Sequence, residues 1–81
     1  MLEELKKLAE EKFQEEFYKA LAHIKKREPL LHPSKQSEVA RRVARKMVNR
    51  WLQEEYGLTM EDIEAKLMAK EFDVSLEDLA V

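Results

Sequence analysis

Residues 37–57, SEVARRVARKMVNRWLQEEYG, hold the only tryptophan of the chain and its clearest helical period. Apolar side chains recur there at steps of three and four residues, as an amphipathic helix requires: Val39, Ala40, Val43, Ala44, Met47, Val48, Trp51 and Leu52. Wound at 3.6 residues per turn, they cover roughly 220° of the circumference, whereas a helix covered on one side needs about 100°. We therefore predict a central helix that is contacted from two directions.

The polar side of this helix is basic. It carries Arg42, Arg45, Lys46, Asn49 and Gln53, with Arg41 and Arg50 at its edges. Residues 34–50 hold six basic side chains against one acidic, residues 51–81 hold two against nine, and residues 1–33 hold seven of each. Three explanations stay open: the basic face is solvated or neutralised by the chain's own acidic part, it binds an acidic protein partner, or it binds nucleic acid.

The size and composition of the chain predict one small domain. It has 81 residues, of which 44% are hydrophobic and 40% charged, with a net charge of -2. A single core of this size is only marginally stabilising, and small helical chains often complete it by pairing with a copy or with another protein. Dense Glu, Lys and Arg with a single Asn are typical of a heat-tolerant source or of an engineered helical protein.

The chain has no cysteine, and no apolar run approaches the length of a membrane span. Its first residues, MLEELKKLAEEKF, are acidic and periodic rather than a signal peptide. We therefore expect a cytoplasmic protein without a membrane partner.

The pattern of residues 2–27 predicts one long first helix. Glutamates lie near its start and Lys25, Lys26 and Arg27 at its end, which is the charge distribution that the helix macrodipole favours. Pro29 ends it, because a residue before proline is pushed out of the helical region. We predict that Leu30 and Leu31 plug the end of the helix pair. Ser34, or else Ser37, is the predicted N-cap of the central helix, which Gly57 ends by taking a left-handed conformation.

A helix-entry pattern occurs twice in the last part of the chain, at residues 56–63 and 72–79. In the first copy Thr59 is the predicted cap, with Asp62 three residues on. It opens a third helix running to about residue 71, with Met60, Ile63, Leu67 and Met68 facing inward. The second copy opens a short C-terminal helix at Ser75.

The predicted fold is all-α. The first and central helices form an antiparallel hairpin, the third helix packs back over Trp51 and Met47, and the short C-terminal helix completes the domain.

The sequence offers no arrangement of residues that favours catalysis, a cofactor or a metal. His23 and His32 are nine residues apart, and His23 is surrounded by basic side chains. Adjacent pairs such as Glu54 and Glu55 point in different directions on a helix and do not converge on a substrate. We therefore expect a non-catalytic protein with no small-molecule substrate.

The leading hypothesis is a helical protein–protein interaction module that forms a homodimer or docks another protein along the first two helices. The predicted contact residues are apolar: Phe13, Phe17, Trp51 and Leu52, with Leu8 and Tyr18 as outer contacts. Each of these can instead belong to the core. The alternative is a small nucleic-acid-binding regulator that uses the basic residues Arg41, Arg42, Arg45, Lys46 and Arg50.

Overall fold

The computed structural model describes residues 2–71, which form three helices: α1 (Leu2–Arg27), α2 (Pro33–Tyr56) and α3 (Met60–Glu71). The α1 and α2 helices form an antiparallel hairpin, and α3 packs against one end of it. The all-α prediction and the hairpin are thereby confirmed. The predicted short helix at Ser75 lies outside the described residues.

The sequence signals at the ends of α1 correspond to its observed bounds. Glu3 and Glu4 lie in the first turn, and Lys25, Lys26 and Arg27 in the last, so the charges at both ends complement the helix macrodipole. The helix has 26 residues and is therefore about 39 Å long. This length makes the molecule elongated, with dimensions of 48 × 24 × 17 Å.

The connection between α1 and α2 differs from its prediction. Leu30 and Leu31 are 99% and 37% exposed, so they do not plug the end of the hairpin. Gln36 occupies that place instead: it is 5% exposed, and its Nε2 donates to the carbonyl of Glu28 at 2.9 Å. An amide fits here because the last carbonyls of a helix have no partner within the helix.

The N-cap of α2 is His32, so the prediction of Ser34 or Ser37 is wrong. The Nδ1 atom of His32 accepts a hydrogen bond from the backbone N–H of Ser34 at 3.1 Å. Pro33 is the first residue of the helix, where its fixed φ angle fits and its missing N–H costs nothing. The cap therefore lies one residue before the proline.

The C-terminus of α2 forms as predicted. Gly57 has φ 68°, in the left-handed region that favours glycine, and its N–H donates to the carbonyl of Gln53 at 3.0 Å. The N–H of Leu58 reaches the carbonyl of Leu52 at 3.5 Å. These two bonds turn the chain sharply from α2 into α3.

The buried residues of α2 follow one another at every fourth position and face α1: Gln36, Ala40, Ala44, Val48 and Leu52. Two of them, Val48 and Leu52, form the core with Ala9 of α1 and Ile63 of α3. Half-buried apolar side chains surround this cluster: Leu5, Phe13, Trp51, Leu58, Met60 and Leu67.

Within residues 2–71, α2 is contacted from two directions only in its C-terminal half, because α3 has 12 residues and covers only that end. Along the rest of α2, Val39, Val43 and Met47 are 38%, 42% and 43% exposed. The prediction that α3 packs over Met47 is wrong, since Met47 borders a groove against α1 instead. The wide apolar arc of α2 therefore exceeds what the described chain covers.

The entry into α3 confirms Thr59 as its cap. The N–H of Thr59 donates to Asp62 Oδ2 at 2.9 Å, and the N–H of Asp62 donates to Thr59 Oγ1 at 3.2 Å, which is the reciprocal arrangement of a capping box. Within the helix Ile63 is buried, and Met60 and Leu67 are half-buried. Met68 is 50% exposed, so its predicted inward position is wrong.

Candidate protein-interaction surface

The two sides of the hairpin differ, because α3 lies on only one of them. On α2, Asn49 Oδ1 accepts from the N–H of Met60, and Arg45 contacts Glu61, so these two residues mark the side of α3. Met47 lies two residues from each of them, about 200° around the helix. Met47 therefore points away from α3.

This side carries a row of α2 residues spaced by four and a matching row on α1. We call it the open face and define it by Leu8, Lys12, Glu16, Ala20 and Ile24 of α1 and by Val39, Val43, Met47 and Trp51 of α2. At its centre is a groove between the helices, lined by Glu16, Lys19, Ala20, His23, Ile24, Val43 and Met47. Apolar side chains thus run along the hairpin on the side that α3 leaves uncovered. Val39 and Val43 lie at the edge of this side, because they also line a depression on the solvent side of α2 that reaches Glu61 of α3.

Trp51 is only partly covered. The Nζ atom of Lys12 lies 5.4 Å from the centroid of its ring, within the range of a cation–π contact. Tyr56 packs edge-on against the ring at a centroid distance of 5.7 Å. Both neighbours leave the indole half-buried, at the border between the core and the open face.

An apolar cleft lies next to Tyr56, at the end of the hairpin away from the α1–α2 loop. It is lined by Leu2, Glu4, Leu5, Leu8, Tyr56 and Leu58. Leu8 and Tyr56 are 43% and 49% exposed. The open face therefore continues into a cleft at this end.

The residues that the sequence proposed as contacts are divided among three places. Leu8 and Trp51 belong to the open face. Tyr18 is 66% exposed and lies edge-on to Phe17, at a centroid distance of 5.4 Å. Leu52 is fully buried in the core, the alternative that the sequence left open for it.

Phe13 and Phe17 are half-buried and stack on each other with a centroid distance of 6.3 Å. Phe13 also packs against the core cluster. Their rings therefore contribute to packing within the hairpin, and only their exposed parts are available to a partner.

Sequence reasoning missed Val39, Val43 and Met47 as surface residues. It predicts that they are covered, because an apolar arc of this width indicates a helix contacted from two directions. The signal that separates them is a second spacing of four: positions 39, 43 and 47 form a row beside the buried row 36, 40, 44 and 48.

The basic residues of α2 do not form one surface. Arg45, and Arg41 one turn before it, lie on the side of α3. Arg42, Lys46 and Arg50 lie along the solvent side, between Glu38 and Glu54. Two of the arginines have acidic partners in the chain, because Arg42 Nη2 contacts Glu38 Oε1 at 3.0 Å and Arg45 Nε donates to Glu61 Oε1 at 2.8 Å.

The hairpin also concentrates charge at its two ends. Residues 16–46, which form the loop end, carry nine basic and three acidic side chains, a net charge of +6. Residues 2–15 and 47–71 form the opposite end and carry six basic and eleven acidic side chains, a net charge of -5. The molecule therefore has a basic end and an acidic end along its 48 Å length.

The contact between Arg45 and Glu61 links α2 to α3 electrostatically. The hydrogen bond from the Arg45 guanidinium lowers the pKa of Glu61 below its ordinary value of 4.5, and backbone hydrogen bonding acts in the same direction. A carboxyl group whose pKa is lower in the folded state stabilises the fold above its unfolded pKa. This stabilisation is lost as the pH falls through the folded pKa.

We expect Glu61→Gln to lower the urea midpoint at neutral pH, and this difference from the wild type to shrink below about pH 4.5 as Glu61 becomes protonated. Urea titrations followed by circular dichroism at several pH values measure it. The control is Glu64→Gln, which removes an exposed carboxylate from the same helix and leaves the Arg45 contact intact. The same pH dependence in both variants would contradict the assignment to the Arg45–Glu61 pair.

Within residues 2–71 no three histidine or acidic side chains lie close enough together to hold a metal ion. Among the helices described, none is both long and apolar enough to cross a bilayer.

Comparison of the chain with protein-family models, with curated proteins and with solved structures finds no match.

Proposed function

We propose that this protein is a non-catalytic interaction module that self-associates through the open face. The observation that carries the proposal is the row Val39, Val43 and Met47, which is apolar, exposed and continuous with the groove against α1. Contiguous exposed apolar surface is uncommon on monomeric proteins and is typical of surfaces that bind another protein. Covering it would also add to the small core of this chain.

The polar surroundings of this row suit an interface. Lys46 and Arg42 border it on the solvent side of α2, and Lys19 and His23 border it on α1. An apolar centre with a charged rim is the usual anatomy of a protein–protein interface. We also propose a cytoplasmic location, which rests on the composition of the chain.

Sedimentation velocity from low micromolar to submillimolar concentration tests the proposal. We expect the wild type to sediment as more than one chain, and the double variant Val43→Glu with Met47→Glu to be monomeric with an unchanged helical circular dichroism spectrum. Because both positions are exposed within one chain, the variant should still fold.

The matched control is Tyr18→Glu with Met68→Glu, which places the same two charges on exposed apolar residues outside the open face. It should assemble like the wild type. A wild-type chain that stays monomeric over the whole range would refute self-association.

Nucleic-acid binding is the second candidate, and the net charge of +6 at the loop end favours it. Such binding would neutralise phosphates with several Lys and Arg side chains together, so its affinity would fall steeply with salt. The intrachain partners of Arg42 and Arg45 count against it.

Fluorescence anisotropy with short duplex DNA and single-stranded RNA at low salt tests this candidate. Binding that weakens with salt and is lost in Arg41→Glu with Arg42→Glu would support it. The control is Lys6→Glu with Lys7→Glu, the same charge change at the acidic end. No binding of either nucleic acid at low salt would remove the candidate.

A further inference from the structure

The open face runs the full length of a molecule whose two ends carry opposite charge. We propose that a second copy of this chain covers the open face in the antiparallel direction, so that the basic end of each copy lies against the acidic end of the other. The inference rests on the proposed function, because it requires that the open face binds protein, and it adds the identity and direction of the occupant.

Symmetry leaves two simple arrangements for a pair of identical chains joined through the same face. A two-fold axis along the hairpin places like ends together. The basic ends, each with a net charge of +6, then lie side by side, and so do the acidic ends, each with a net charge of -5. An axis across the hairpin places unlike ends together. Since like charges across an interface are unfavourable and complementary ones favourable, charge selects the antiparallel arrangement.

The apolar residues also match in this arrangement. Met47 and Glu16 border the same groove near mid-length, so a crossing axis passes close to both. Val43 and Trp51 lie four residues on either side of Met47. The axis therefore brings Val43 of one copy opposite Trp51 of the other.

On α1 the same symmetry pairs the two apolar ends of the row with each other and places Lys12 opposite Ala20. Leu8 and Ile24 lie eight residues on either side of Glu16, so Leu8 of one copy faces Ile24 of the other. The Glu16 side chains of the two copies lie near each other at the axis. Within each chain, Lys19 Nζ lies 3.9 Å from Glu16 Oε1 and offsets its negative charge.

The two ends supply a further complementary pair of features. At the basic end, Leu30 is 99% exposed on the α1–α2 loop. At the acidic end lies the apolar cleft lined by Leu2, Glu4, Leu5, Leu8, Tyr56 and Leu58. The antiparallel arrangement brings the loop of each copy level with the cleft of the other, whereas the parallel one leaves both features without a counterpart.

The area of the open face is sufficient for a stable pair. A strip as long as α1 and as wide as two packed helices covers roughly 700 Å² per chain, from the rise per residue and the usual helix spacing. The pair would bury about 1,400 Å² in total, within the range of specific interfaces. In the resulting dimer the α1–α2 hairpins of the two copies form two layers of two helices each, and α3 of each copy lies on the outside.

Engineered cysteines test the direction, because the chain has none of its own. Leu8→Cys and Val39→Cys each replace an exposed side chain of the open face, one near the acidic end and one near the basic end. With a short bismaleimide, mixing the two variants should give an efficient cross-link between them. Neither variant alone should cross-link to itself. The control is Tyr18→Cys, outside the open face, which should cross-link with neither.

Charge-reversal variants test whether complementary charge selects the antiparallel direction. Arg42 and Glu54 lie on the exposed side of α2, on opposite sides of Met47, so the antiparallel pair brings Glu54 of one copy near the Arg42–Glu38 pair of the other. Arg42→Glu and Glu54→Arg should each weaken the dimer, raising Kd roughly fivefold because two symmetry-related surface pairs are lost. The double variant should restore the wild-type Kd, since it exchanges the partners and keeps both pairs.

The outcomes separate this inference from the proposed function. A dimer in which Leu8→Cys or Val39→Cys cross-links to itself overturns the antiparallel direction and leaves self-association standing. A dimer whose only cross-links involve Tyr18→Cys overturns both the face and the direction. A wild-type chain that is monomeric at every concentration removes the proposed function and the inference with it. A double charge variant as weak as the single ones overturns the role of charge.

Discussion

Leu52→Ala is expected to lower the free energy of unfolding by about 3 kcal/mol, within the range for large-to-small substitutions in a core. The side chain of Leu52 is fully buried and packs with Val48, Ala9 and Ile63, so its loss affects contacts among all three helices. A domain of this size has only a few kcal/mol of stability. We therefore expect a substantial unfolded population at room temperature.

Urea titration monitored by circular dichroism measures this change, at one chain concentration low enough to keep the chain monomeric, because assembly itself adds stability. Leu30→Ala is the matched control: it is the same substitution at a leucine that is 99% exposed, and it should change the free energy of unfolding by less than about 0.5 kcal/mol. Equal losses in the two variants would mean that Leu52 does not hold the three helices together.

The helix boundaries could be predicted because they are set by local chemistry. The single glycine, Gly57, is the residue that adopts the left-handed conformation at the end of α2. Thr59 and Asp62 satisfy each other's backbone donors whatever the rest of the fold does. His32 was missed as a cap because the usual capping residues are Ser, Thr, Asp and Asn, and two serines lay close by.

The open face could not be predicted, because helical periodicity shows which residues share a side but not what covers that side. Val43 and Val48 look alike in the sequence, yet Val48 is fully buried while Val43 is 42% exposed. The difference arises because Val48 lies in the row that faces α1, whereas Val43 lies beside that row, on a side that α3 does not cover.

The charge polarity was also hidden in the sequence. In chain order the basic residues appear concentrated in residues 34–50, whereas residues 1–33 are balanced. Folding the hairpin places Lys25, Lys26 and Arg27 at the same end as Lys35 and Arg41. Polarity is therefore a property of the antiparallel arrangement, and it becomes visible only after the two helices are paired.

The pairing of those helices depends on small residues, and Ala44→Glu is expected to abolish the fold. Ala44 is fully buried in the row of α2 that faces α1, so a glutamate there would be buried as a charge or would force the helices apart. An unpaired buried charge costs several kcal/mol, and the added volume costs about 1–3 kcal/mol more. Circular dichroism at room temperature should show the loss of most of the helical signal.

Two further variants separate the causes of that loss. Ala22→Glu places the same residue at an exposed position of α1 and should change the free energy of unfolding by less than about 0.5 kcal/mol. Ala44→Leu adds volume without charge and should leave a folded protein that is about 1–3 kcal/mol less stable. If Ala44→Glu unfolded in urea at the same concentration as Ala22→Glu, α1 and α2 would not be in contact at Ala44. The open face, which requires the two helices to lie side by side, would then not exist.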